Sequence, residues 1–87
     1  MSKNFWQARA QITDALVSHR NDLEYHKRAL EAFRREFEAL DESTPTEVGN
    51  ILHANITRET ARVNSLMWTI QNLERLLKEY PLTPASY

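Results

Sequence analysis

From His19 to Ala39 the chain reads as three imperfect copies of one seven-residue unit: His19–Tyr25, His26–Ala32 and Phe33–Ala39. Apolar residues recur alternately three and four positions apart, the spacing that keeps one stripe of a helix against a neighbouring helix. With Leu16, Leu23, Leu30 and Phe37 at position a, position d holds Phe5, Ile12, His19, His26, Phe33 and Leu40. No proline or glycine intervenes, so the pattern predicts one helix over residues 4–40, roughly 54 Å long at the usual rise. Ser2 or Asn4 is its expected cap, with Gln7 three residues beyond Asn4 in a capping-box arrangement.

The pattern breaks at Asp41 and restarts within a few residues. Thr44 is a good N-cap, Pro45 suits a first helical position, and Glu47 completes a Thr-x-x-Glu box. A second helix is therefore expected over residues 45–80, after a turn at 41–44, ending where Pro81 cannot continue it. Residues 81–87 form an irregular tail in this reading. The second seam places Ile56, Val63, Ile70 and Leu77 at a, with Leu52, Glu59, Leu66, Leu73 and Tyr80 at d. So short a connection makes antiparallel neighbours. One register satisfies both seams: Leu16 opposite Leu73, Leu23 opposite Leu66, Phe33 opposite Ile56, Phe37 opposite Leu52, and Leu40 opposite Gly49.

The first helix has more apolar width than one neighbour covers. Its g positions include Ala8, Ala15 and Ala29, and its c positions include Tyr25, Ala32 and Ala39. A two-helix seam uses a and d alone, whereas a bundle helix uses a broader face. The expected fold is thus all-α: a single coiled-coil-like antiparallel hairpin over residues 1–87, dimerising into a four-helix bundle.

Composition narrows the function classes. Eleven basic and twelve acidic residues give a formal charge of −1, against the pI above about 9 usual for nucleic-acid binders. There is no cysteine, which removes disulfides and thiolate metal sites. No apolar run reaches membrane-spanning length and no apolar signal core follows Met1, so a cytoplasmic location without membrane contact is expected.

His19 and His26 fall one heptad apart on the seam, with Asp22 between them. Paired ligands on one helix usually stand four residues apart. The favoured reading is therefore polar seam residues that fix register, hydrogen-bonded to neighbours such as Asp22 or Glu59, rather than a metal site or pH switch. Glu59 lies one step from His26, the nearest approach to an acid–base pair. No nucleophile constellation or phosphate-cradling glycine loop accompanies it. No enzymatic activity, catalytic residue, metal, cofactor or small-molecule substrate is expected.

Trp68 falls at position f of the second helix, outside the seam, where an exposed tryptophan suits partner recognition. Trp68, Trp6 and Tyr25 are the candidate partner-binding residues. The expected function is protein–protein interaction: an adaptor, chaperone-like binder or inhibitory regulator of an unidentified larger partner. The alternative is RNA or DNA binding through Lys27, Arg28, Arg34 and Arg35. It is the less favoured because each of these bases has an acid four residues away.

Overall fold

The structure, a computed structural model, describes the backbone of residues 3–79 and the side chains of residues 6–79. Two helices account for it, α1 (Lys3–Glu38) and α2 (Thr46–Glu79), and they pack along their lengths as a hairpin. The Cα trace spans 70 × 14 × 14 Å, a rod one hairpin thick. Expectations for Ser2, the side chains of Asn4 and Phe5, Tyr80 and the tail lie outside the described residues.

α1 stops two residues short of the expected Leu40. Its end tightens: the Ala39 amide donates to both Arg35 O (3.1 Å) and Glu36 O (3.2 Å), and Leu40 N to Phe37 O at 3.2 Å. Such bonds satisfy the orphaned carbonyls of a terminus without a left-handed residue, and no described residue has positive φ. The connection is then built on Asp41. Its Oδ1 accepts from Ser43 N (2.9 Å), Ser43 Oγ (2.6 Å) and Thr44 Oγ1 (3.3 Å). Those bonds, led by the Ser43 hydroxyl and then the Ser43 amide, hold the Asp41 carboxyl below its ordinary value of 3.8.

Thr44 departs from its expected role. Its hydroxyl turns back into the loop, accepting from Asp41 N at 3.2 Å and donating to the Asp41 carboxylate, instead of capping toward Glu47. An ionised carboxylate is the stronger partner, and local side-chain bonds of this kind compete directly with capping. Val48 N donates to Pro45 O at 3.0 Å, so the first turn forms directly behind the proline.

The expected register is the observed one where the seam meets the turn. A Cβ built on Gly49 would stand 3.6 Å from Leu40 Cδ1, placing these two residues at the same level. At the far end Arg9 Nη1 reaches Leu77 O at 3.4 Å. Leu16, Leu30, Leu52, Val63, Leu66 and Ile70 are buried, and Leu16 is the most enclosed at 2% exposure. Leu23, Phe33, Ile56 and Leu73 are half-buried. Phe37, expected inside against Leu52, is 40% exposed, with its ring beside His53 at a centroid distance of 6.5 Å. The tightened end of α1 lets Leu40 take the inner place against Gly49 and leaves Phe37 on the rim.

Candidate interaction surfaces

Heptad position sorts the surface of the rod into two flanks. In an antiparallel pair the e positions of both helices line one side and the g positions the other. Arg20 and Glu74, both at e, join across the first flank at 3.0 Å. Along the second flank Ala8, Ala15, Asp22 and Ala29 of α1 lie beside Asn55, Thr69 and Leu76 of α2, all half-buried. The c positions of both helices border this g flank and are mostly exposed.

Among the described residues the seam contains one polar side-chain contact between the helices. His26 Nδ1 lies 2.5 Å from Glu59 Oε2, joining α1 to α2 within the apolar stripe. Neither group is fully buried, and the Tyr25 ring stands edge-on to the imidazole at 5.2 Å and 89°. His26 thus has a carboxylate on one side and an aromatic edge facing solvent on the other. His19 is different: its Nδ1 is buried with no hydrogen-bond partner among the described residues. Asp22, expected between the two histidines, bonds to neither. Among the described residues no three His, Cys, Asp or Glu side chains gather closely enough to hold a metal ion.

The three aromatic candidates are exposed but dispersed. Trp68 is 68% exposed at position f of α2, Tyr25 is 69% exposed at c of α1, and Trp6 is 47% exposed at e near the opposite end from the turn. They therefore occupy three different faces. Val48 and Ile51 are also exposed, on the g flank near the turn.

The basic cluster divides. Arg28 pairs with Glu24 at 3.3 Å and Arg35 with Glu31 at 2.5 Å, as their spacing implies. Lys27 and Arg34 do not take the carboxylates four residues away and pair with none among the described residues. They line a hollow of about 380 Å³ on the e flank with Leu30, Glu31, Thr60, Val63 and Asn64. Opposite them α2 presents neutral side chains, so the cross-helix partner that Glu74 supplies to Arg20 is missing here.

Two features escaped the pattern. The Arg20–Glu74 bridge depends on which e positions share a level, and a search along one helix does not find it. His53 lines an open hollow of about 330 Å³ at the turn with Phe37, Leu40, Pro45 and Gly49. It sits at e, off the apolar stripe, so the seam reading passed over it.

The fold defines the chain as an all-α helical hairpin in which no described helix is long and apolar enough to cross a membrane. No family model, curated protein or solved structure matches it.

Proposed function

We propose that this chain is a non-enzymatic protein–protein interaction module: a dimer of hairpins forming a four-helix bundle that serves a larger partner as adaptor, chaperone-like binder or inhibitor. The observation that carries the reading is the g and c flank, where half-buried Ala8, Ala15, Ala29 and Leu76 and exposed Tyr25, Ala32, Ala39, Val48 and Ile51 border a narrow core. The chain exposes 6611 Å², whereas a compact protein of its mass exposes about 5,300 Å². The excess exceeds the roughly 800 Å² that each partner contributes to a standard interface.

Self-pairing along the g flank covers Tyr25, Val48 and Ile51 and leaves Trp68, at f, outside for the larger partner. Light scattering across a concentration series tests the first half: a mass near twice 10.2 kDa is expected, and a monomer throughout refutes self-pairing. For the second half, Trp68→Ala is expected to keep helicity and mass while abolishing capture of the cognate partner. Capture that survives the substitution removes Trp68 from the site.

The unpaired Lys27 and Arg34 favour one second reading, RNA or DNA binding on the e flank with Arg28 and Arg35 alongside. It requires oligonucleotide binding that weakens steeply with salt and disappears in Lys27→Glu/Arg34→Glu. Binding that is absent or insensitive to salt eliminates it.

A further inference from the structure

The two helices carry opposite charge on the flank assigned above to self-pairing. On α1 the charged residues at g and c are Asp22 and Glu36, both acidic. On α2 they are Arg62 at g and Arg58 at c, with Glu79 alone at the far end. Asp22 and Glu36 have no ion-pair partner among the described residues, and Asp22 is half-buried. Arg62 likewise pairs with nothing described, and Arg58 holds only the Asn55 amide oxygen, at 2.9 Å.

Two-fold symmetry allows two ways of stacking such flanks. With the axis across the rod, the turns lie at opposite ends, α1 packs on its own copy, and acids face acids while arginines face arginines. With the axis along the rod, the turns lie at the same end and α1 of one copy packs antiparallel on α2 of the other. The second arrangement brings Asp22 and Glu36 toward Arg58 and Arg62 of the second copy. Like-charge juxtaposition across an interface is costly and complementary charge fixes orientation.

We infer that the occupant of the g flank is a second copy of this chain, oriented with both turns at the same end and α1 packed on α2 of the other copy. The inference rests on the self-pairing proposed above and adds its geometry. It also gathers Ala39, Val48 and Ile51 of both copies into one apolar patch at the turn end, where each is exposed in the single hairpin.

The chain has no cysteine, so Glu42→Cys introduces one thiol in the exposed turn. Spin labels on it report the distance between turns in the dimer. Turns at the same end place the labels within about 30 Å, since packed helices stand 8–10 Å apart. Opposite ends place them about 50 Å apart or more, the length of a helix here. A dimer with the long distance overturns the orientation and leaves self-pairing standing. A monomeric mass overturns both. Independently, Arg58→Glu/Arg62→Glu is expected to weaken self-association about tenfold or more, with helicity retained. Adding Asp22→Lys/Glu36→Lys should restore it. An unchanged dissociation constant in the arginine variant overturns the charge argument.

Discussion

At the scale of single residues, exposure decides how much each side chain contributes. Leu16 is the most enclosed, so Leu16→Ala removes buried methyl groups that the rod cannot easily collapse around and should cost about 2–5 kcal/mol in urea unfolding. Phe37→Ala, on the rim, should cost less than half as much in the same measurement. Gly49 sits in a helix with ordinary backbone angles, and an added Cβ would make a normal contact with Leu40. Its glycine is therefore not required by the close approach of the helices. Gly49→Ala should raise stability by about 1 kcal/mol through helix propensity. Asp41 acts through its charge. Its carboxyl is held below 3.8 in the folded turn, so the stabilisation it adds is present above that pH and lost as pH falls through the folded value. The gap in melting temperature between the protein and Asp41→Ala should be constant near neutrality and close in acid below pH 3.8.

At the scale of elements, the question is what joins α1 to α2 besides apolar packing. The His26–Glu59 contact is the one polar link inside the seam among the described residues, and Arg20–Glu74 is exposed on its edge. Exposed pairs contribute roughly 0–1 kcal/mol. A partly buried pair behaves differently: removing one partner strands the other, while replacing both with apolar groups is often neutral. A double-mutant cycle of His26→Leu and Glu59→Leu should show each single variant destabilised and the double variant recovering much of the loss, with coupling of about 0.5–3 kcal/mol. Additive losses would reduce the pair to surface decoration. Because the Tyr25 ring stands edge-on to the same imidazole, anything that covers Tyr25 also touches the link between the helices.

For the whole molecule, the governing fact is that a two-helix rod leaves each helix covered on one side only. A core of six buried side chains among the described residues is small, and chains of this size commonly gain stability by association. If the g flank is self-paired, the melting temperature must rise with protein concentration, because a partner that binds only the folded state stabilises it by mass action. A melting temperature independent of concentration over two decades would place the whole folding free energy within one hairpin.

The sequence by itself determined the two helices, the turn between them and their register. Those features follow from heptad spacing, from the absence of breakers before Asp41, and from Pro45, and all three are local or periodic. The candidate site was less visible. Spacing along α1 offered every base in the basic cluster an acid four residues away, yet only Arg28 and Arg35 take theirs. Thr44 had the right neighbours for a cap and bonded to Asp41 instead. Of two seam histidines equivalent in the pattern, His26 found Glu59 while His19 kept a buried, unpartnered nitrogen. Tertiary structure decided these outcomes because each depends on which side chain of the other helix stands at the same level and within reach. A one-dimensional period carries the direction of a side chain around its helix and nothing about the partner that meets it there.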